Sequence, residues 1–402
     1  MTLETDLGPA ALAYRAEVRE WLRGHAPAEL NGVDIDDATP KTPEQACHLA
    51  QWAEDIHRAG YMCVTWPAEY GGRGLTRLES AILDEEFARA GAPRMTRGVG
   101  EWLVAPAILA WGTPEQKAYF LPRIAAGTDR YCQGFSEPDS GSDLASLKTA
   151  GRVDGNELVI SGQKVWTSGA ERANMLFCLC RTDPQAPRHR GISYVLVPMH
   201  TADGASNGIE LRPIRQMDGD ADFTATFLDA ARAPLENVIG GLNNGWRVTM
   251  TTLGSERAGS SSTQHIPFAR QFWAAVAIAR DRGLAQDALV RQELAWAFTH
   301  VEIMRYQGLA AFSDAVAGRE PGARASIGKM FWSEYSQRFL DRVANLRGPQ
   351  ATLLPDQPPG SYEPDDWTLA LLRSRGSTIW GGTAEIQRNI VGERLLGLPR
   401  DS

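Results

Sequence analysis

The chain has 402 residues, 43% hydrophobic and 22% charged, with a formal charge of −8. That balance is ordinary for a globular protein, and the length exceeds what one hydrophobic core supports, so two or three domains are expected. The acidic balance and the lack of a basic stripe argue against nucleic acid and anionic membranes as partners.

The opening "MTLETDLGPA" is acidic and has no apolar run, so no signal or transit peptide is expected and a cytoplasmic location follows. Residues 1–128 are predicted to form an N-terminal α-helical domain. "AALAYRAEVREWLRG" places Leu12, Val18 and Leu22 at helical spacing, and "TRLESAILDEEFARAGAP" does the same with Leu78, Ile82, Leu83 and Phe87 before Gly91 and Pro93. "GTPEQKAYFLPRIAAGT" begins with Thr113 as N-cap, Pro114 at the first helical position and Gln116 three residues on, which predicts a capping box.

From 129 to 240 the period changes. "ELVISG", "QKVWTS", "MLFCLC", "ISYVLVPM" and "DFTATFLD" are short β-branched and aromatic runs broken by Gly, Pro and Asp154-Gly155, which predicts a small β-barrel. From 241 to 402 helices return as a C-terminal bundle. One runs through "RQELAWAFTHVEIMRYQGLAAFSDAVAG", with Leu294, Phe298, Val301, Met304 and Leu309 near one stripe; another runs through "ARASIGKMFWSEYSQRFLDRVANLRG". "LLPDQPPGSYEPDD" (353–366) is predicted as a surface loop. No apolar stretch reaches the roughly 20 residues of a membrane span. The five cysteines are odd in number and lack metal-type pairing, so reduced, mostly buried thiols are expected; Cys178 and Cys180, two apart, share one face of a strand. No H-E-x-x-H or H-x-x-E-H occurs among the seven histidines, and no metal site is expected.

Three stretches could carry chemistry. In "YCQGFSEPDSGSDLASLKT" (131–149) the run Ser136 to Asp143 is small and polar; it is either a plain barrel loop or a set of backbone N–H groups offered to a planar ligand or phosphate. "GQKVWTSGA" (162–170) sets a Trp beside Thr and Ser at a strand end, either a half-buried core indole or a stacking platform with hydroxyl donors. "NNGWRVTMTTLGSERAG" (243–259) carries Glu256-Arg257, which alone reads as a solvated pair worth well under about 1 kcal/mol. No G-x-G-x-x-G follows a strand, so a Rossmann site is not indicated.

Together these stretches resemble the flavin-dependent acyl-CoA dehydrogenase family, nearly end to end. "F-S-E-P-x-x-G-S-D" is matched by Phe135 to Asp143, "K-x-W-x-[TS]-x-[GA]" by Lys164 to Ala170, "E-R" by Glu256-Arg257 and "G-T-x-E-I-Q-R-N-I" by Gly382 to Ile390; "WPAEYGG" (66–72) and "GTPEQKAYFLPRIAAGT" (112–128) match too. The resemblance implies an α+β fold of helical domain, β-barrel and four-helix bundle, with FAD in the cleft between barrel and bundle. Many members carry a catalytic Glu in "Y-E-G-T", where this chain has Gly381. The isovaleryl-CoA and long-chain types use the Glu of "E-R", which makes Glu256 the expected base. A Glu desolvated beside the ligand has its pKa raised toward neutrality, as a thioester α-proton requires.

By resemblance, Phe135 and Ser136 flank the FAD, and Trp166, Thr167 and Ser168 line its ring, with Ser168 near the N5 that takes the hydride. Thr383 and Glu385 contact FAD, Ser142 and Arg257 meet the CoA, and the Gly381 N–H meets the thioester carbonyl. The product is a trans-2-enoyl-CoA, and the electrons pass to an electron-transfer flavoprotein. Two family motifs on the FAD side are missing: "R-x-x-F-G-x-x-x-x-x-x-Q" is replaced by "IARDRGLAQDALVRQ" (278–292) and "Q-x-x-G-G-x-G" by "NLRGPQATLLP" (345–355). Actinobacterial acyl-CoA dehydrogenases for steroid side chains resemble this pattern, which implies a homo-oligomer or an α2β2 heterotetramer with a paralogous chain. The competing readings are a flavin monooxygenase or nitroalkane oxidase of the same fold, and a non-catalytic half of a heteromer. Gly381, with Gly259, Ser260 and Ser261, points to room for a bulky acyl group, unless Trp102, Leu103 or Trp380 fills it.

Overall fold

The computed structural model describes residues 8–30, 42–258, 263–319, 322–353 and 364–399. In chain order it forms α1 (Gly8–His25), α2 (Pro43–Arg58), α3 (Arg77–Ala90), a π-helical turn Gly100–Val104 leading into α4 (Ala105–Trp111), and α5 (Pro114–Ala125). Strands follow: β1 (Tyr131–Gly134), β2 (Ala150–Asp154), β3 (Glu157–Ser168), β4 (Met175–Arg181), β5 (Ile192–Pro198), β6 (Ile209–Ile214), β7 (Phe223–Pro234) and β8 (Val238–Ile239). Then come α6 (Gly245–Ala258), α7 (His265–Asp281), α8 (Ala288–Val316), α9 (Ala325–Arg347), α10 (Asp366–Ser374) and α11 (Ala384–Ile390). These elements gather into two compact units, one of residues 1–65, 74–95 and 257–402, the other of 66–73 and 96–256.

In the helical unit, α1 packs on α3, and α3 packs on α7 and α8, so helices from both ends of the sequence share one body. The N-terminal core is aromatic: Trp52 stacks on Trp21 at 5.2 Å and donates its indole N–H to the Pro93 carbonyl at 2.8 Å. Beside it lies a buried charge cluster in which Arg15 bonds Glu85 at 2.7 Å, Arg19 grips both oxygens of Glu86 at 2.9 Å, and Arg89 reaches Glu85 at 2.6 Å. The second core joins Phe268 and Phe272 of α7, Ala297, Val301 and Met304 of α8, and Tyr335, Phe339 and Val343 of α9, with Trp367 and Leu371 of α10 against it. On α8 the buried face is Ala297, Val301, Met304, Gly308 and Phe312; Phe298, expected on that stripe, is 44% exposed. It lies one residue, about 100°, off a face that Ala297 already fills.

The other unit is built on one eight-stranded sheet of order β6-β7-β3-β2-β4-β5-β8, with β1 parallel to β4. A barrel was expected. Among the described residues the end strands β6 and β8 are not paired with each other, while β5 packs against β7, so the sheet curls over its own core without closing its ladder. That core takes Leu158 and Ile160, Leu176, Cys178 and Cys180, Val195 and Val197, and Leu228 and Ala231 from successive strands. The two runs predicted over 157–168 are the single strand β3, joined at Gly162 opposite a bulge in β7. A Cβ there would come 2.6 Å from Thr149 Oγ1, so the close approach requires glycine. All five cysteines are free: Cys47 is exposed and the others buried.

The capping box on α5 forms as expected, Thr113 Oγ1 accepting from the Gln116 N–H at 3.2 Å and Gln116 Oε1 from the Thr113 N–H at 2.9 Å. Gln116 also donates through Nε2 to the Glu236 carbonyl at 2.7 Å and the Val238 carbonyl at 3.0 Å, tying α5 to the last strand. Thr113→Ala is therefore expected to cost about 1 kcal/mol and Gln116→Ala about 2–3 kcal/mol, since only the second strips buried carbonyls of a donor. Urea midpoints of the two variants check this; equal shifts would mean that the cap is the whole contribution of Gln116.

Candidate functional site

The polar loop after β1 and the end of β3 are fastened by one buried ion pair. Lys164, 0% exposed, donates from Nζ to Glu137 Oε1 at 2.8 Å and to the Phe135 carbonyl at 3.1 Å. Glu137 also accepts from the backbone N–H groups of Lys148 at 2.7 Å and Thr149 at 2.8 Å. Burial alone would raise the Glu137 carboxyl. The Lys164 charge and these hydrogen bonds outweigh it and hold the pKa below the usual carboxylate range. The Val165 N–H donates to the Ser136 carbonyl at 2.9 Å, a further staple between loop and strand.

Immediately after Lys164 the ladder slips. Lys164 pairs with Thr226 and Thr167 with Thr224, so β3 inserts one residue more than β7. Trp166 sits in this bulge with φ +62°, a left-handed conformation that is uncommon outside glycine. The bulge turns its indole outward, 57% exposed and edge-on to Phe223 at 6.0 Å. Thr167 returns inward: it is fully buried and accepts at Oγ1 from Thr226 Oγ1 at 3.1 Å. Ser168 is exposed again. Phe135 is buried, its ring edge-on to Phe177 at 5.4 Å and Tyr194 at 5.9 Å, so its side chain belongs to the sheet's aromatic core. Ser136 is half-buried and Ser142 exposed.

Helix α6 is fixed in the same unit. Thr252 Oγ1 donates to the Leu103 carbonyl of the π-helical turn at 3.4 Å, and the Trp111 indole N–H to Thr251 Oγ1 at 2.9 Å. Glu256 follows Thr252 by one helical turn. The side chains of Glu256 and Arg257 lie outside the described residues, as do Gly259, Ser260 and Ser261. Leu103 is buried and Trp102 is 40% exposed.

The helical unit carries the remaining candidates on the turn before α11. Gly381 and Gly382 both have positive φ, +62° and +86°. Thr383 caps α11, accepting from the Ile386 N–H at 3.2 Å. Glu385 is exposed; its own backbone N–H and the Thr383 side chain hold its carboxyl below the usual range. Gln387, fully buried, donates from Nε2 to the Gly381 carbonyl at 2.8 Å, while its Oε1 has no hydrogen-bond partner among the described residues. Trp380 is 46% exposed and its ring covers Gly376, where a Cβ would come 2.4 Å from it.

On the sheet unit, an outward indole held at a strained bulge with the exposed Ser168 beside it suits a planar aromatic ligand such as a flavin ring; on the helical unit, taken by itself, the glycine turn and helix start, with Gln387 Oε1 buried and unbonded among the described residues, offer polar groups of the kind a nucleotide takes. Sequence reasoning missed Glu137, Lys164 and Gln387 as site-shaping residues. Glu137 and Lys164 lie 27 positions apart and no spacing rule links them. The available signal was a lone lysine inside a strand run, which must find a partner if buried.

Helices, a curled sheet and helices again, with an aromatic strand end and a glycine turn, define an α+β fold of the flavoprotein dehydrogenase type. Three segments match described domains of that type: the acyl-CoA dehydrogenase N-terminal domain over residues 9–128, the middle domain over 132–229 and the C-terminal domain over 243–396. The chain is 39% identical to acyl-CoA dehydrogenase IpdE1 of Mycobacterium tuberculosis, covering 97% of this chain and 98% of the relative. Among solved structures it is similar to the Tcur3481-Tcur3483 steroid ACAD, with TM-score 0.80, 32% identity and coverage of 99% and 100%. It is also similar to the ChsE4-ChsE5 complex from M. tuberculosis, with TM-score 0.76, 31% identity and full coverage of both chains. The chain belongs to the acyl-CoA dehydrogenase family and is an oxidoreductase acting on acyl-CoA. Among the described residues, no helix is long and apolar enough to cross a membrane, and no group of His, Cys, Asp and Glu could hold a metal ion.

The depressed Glu137 carboxyl has a pH consequence. A carboxylate whose pKa is lower folded than unfolded contributes stability that is fully present above the unfolded value, near 4.5, and lost as pH falls through the folded value. Lys164→Met should reverse that dependence, because burial then raises the Glu137 carboxyl, and destabilise the protein by about 3–5 kcal/mol at neutral pH, because it leaves a buried carboxylate without its cation. Denaturant titrations from pH 7 to pH 3 check it. A Lys164→Met variant as stable as the parent at pH 7 would show that the pair is not buried in solution.

Proposed function

We propose that the protein catalyses α,β-dehydrogenation of an acyl-CoA thioester to the trans-2-enoyl-CoA, with Glu256 as the base. The observation that carries the reading is the complementary pair of positions: a glycine with left-handed φ at 381, and a glutamate one turn beyond the Thr252 staple of α6. Gly381 brings no side chain to compete as base, and its N–H is offered to the thioester carbonyl, where a donor stabilises charge that develops as the α-proton leaves. Glu256 takes that proton. FAD, when bound, supplies the acceptor for the β-hydrogen as hydride. Trp166, Ser168 and Ser136 by their side chains and Phe135 and Thr167 by their backbone on the sheet unit, and Thr383 and Glu385 on the helical unit, are assigned to hold the cofactor. Ser142 and Arg257 are assigned to the CoA. The three sequence domains are 1–128, 129–240 and 241–402, the location is cytoplasmic, and the electron acceptor is an electron-transfer flavoprotein.

The acyl group is bulky or branched, of the steroid side-chain class. Support comes from the missing side chain at 381 and from the similarity to the Tcur3481-Tcur3483 steroid ACAD. The assembly is an oligomer, either of this chain or with a paralogue. Support comes from the similarity to the ChsE4-ChsE5 complex, together with the two absent FAD-side motifs.

Glu256→Gln is expected to keep its fold and its FAD but to lose flavin reduction by acyl-CoA by at least about 10²-fold, the lower range for a removed general base. Anaerobic stopped-flow bleaching at 450 nm reads this directly; near-parental reduction would place the base elsewhere. For substrate shape, kcat/KM across straight, branched and polycyclic thioesters decides, with the polycyclic or branched ones expected to lead. If butyryl-CoA or hexanoyl-CoA outperforms all of them, the bulky-substrate assignment is wrong.

A further inference from the structure

The turn that carries Gly381 is held from below by α9. Lys329, Ser333 and Gln337 lie at i, i+4 and i+8 on one face of that helix. Gln337 Nε2 donates to the Ser374 carbonyl at 3.0 Å, the Arg375 carbonyl at 3.3 Å and Thr378 Oγ1 at 3.0 Å. The Ser333 carbonyl accepts from Ser377 Oγ at 3.3 Å. Lys329, only 8% exposed, donates from Nζ to the Gly382 carbonyl at 2.8 Å. Gln387 meets the same turn from α11, donating to Gly381 at 2.8 Å and to Gly382 at 3.3 Å. Two consecutive glycines have the widest conformational freedom of any dipeptide, and this one is anchored at both carbonyls by the side chains of Lys329 and Gln387.

We propose that Lys329 is the positioning residue of the Gly381 turn, setting the direction of the N–H that the thioester carbonyl meets. Peptide units are planar, so fixing the carbonyls of Gly381 and Gly382 fixes the opposite N–H groups of Gly382 and Thr383. The Gly381 N–H is then left only the rotations about its own Cα. In relatives with a side chain at this position the backbone is also restricted by the Cβ; here it is glycine, and the restriction comes from outside. Lys329 therefore compensates for the residue whose absence opens the pocket. The buried ammonium also acts on the α11 start, where its charge adds to those that lower the Glu385 carboxyl. The inference rests on the thioester being placed at Gly381 in the proposed function.

The test uses the full-length, FAD-loaded protein with Lys329→Met and Lys329→Arg. For Lys329→Met, kcat for acyl-CoA is expected to fall about tenfold or more with KM within about threefold, because an N–H aimed at developing charge acts in the transition state. Lys329→Arg, which keeps a buried cation, is expected to recover at least about a third of the parental kcat. Hydrogen exchange followed by mass spectrometry is expected to quicken about fivefold over residues 378–383 in Lys329→Met and to stay unchanged in α7 and α8. Parental exchange over 378–383, or a loss of kcat matched by faster exchange throughout the helical unit with no recovery in Lys329→Arg, overturns the proposal. If the parent is reduced by no acyl-CoA at all, the functional reading fails, and the exchange over 378–383 still decides whether Lys329 holds the turn.

Discussion

The sheet unit depends on the ammonium of Lys164, taken wholly out of water and set between a carboxylate and a backbone carbonyl. Desolvating that charge costs several kcal/mol, and the attraction to Glu137 in a medium of lower dielectric offsets it only because every partner is in place. A pair of packed apolar side chains would serve stability as well or better. What apolar side chains cannot do is fix a loop in register with a strand. Lys164 reaches back across 27 residues to Glu137, Glu137 reaches forward to the amides of Lys148 and Thr149, and the loop between is closed like a buckle. The bulge at Trp166 begins one residue later. Its strained backbone persists because the strand on one side is tied to the loop and Thr167 on the other is tied to Thr226.

The helical unit handles irregular backbone by the same means. Where α10 ends and α11 begins, the chain makes a glycine turn, and α9 supplies three polar positions on one stripe to receive it. The Arg15, Arg19, Arg89, Glu85 and Glu86 cluster does comparable work between α1 and α3. Two of its five members, Arg19 and Arg89, are solvent-screened, so its contribution is one of registry between two amphipathic helices more than of raw energy.

The helices and most of the strands were legible in the sequence because their signals are local. Thr113, Pro114 and Gln116 lie within one turn of each other, and the capping box they predict forms. The strand runs over 175–180 and 192–199 fall on β4 and β5 because aliphatic and aromatic residues crowd there. Three things were not legible. Ladder closure is a property of strands far apart in sequence, so a barrel and a curled sheet with unpaired ends predict the same runs. The phase of α8 is ambiguous at Phe298, because its spacing fits the apolar stripe to within one residue, and the packed position goes to Ala297 instead. The bulge at Trp166 leaves no mark in composition: nothing in "KVWTS" says that the indole takes a backbone conformation usually reserved for glycine. The motif resemblance located the candidate residues; their conformations came only from the fold.

The free thiols of the sheet have a use unrelated to chemistry on substrates. Burial pushes the Cys132 thiol up to about 12 and the Cys178 thiol up to about 11. At neutral pH a group of the second kind is ionised in roughly one molecule in ten thousand, and its sulfur is shielded from reagents as well. Alkylation of these side chains therefore waits on opening of the strands that cover them. Cys47, exposed on α2, reacts without any such opening. The chain thus contains its own clock and its own controls: Cys47 marks the unprotected rate, buried Cys63 reports opening of the helical unit, and modification of Cys132, Cys178 and Cys180 ahead of Cys63 measures how often the sheet comes apart while the rest of the molecule stays folded.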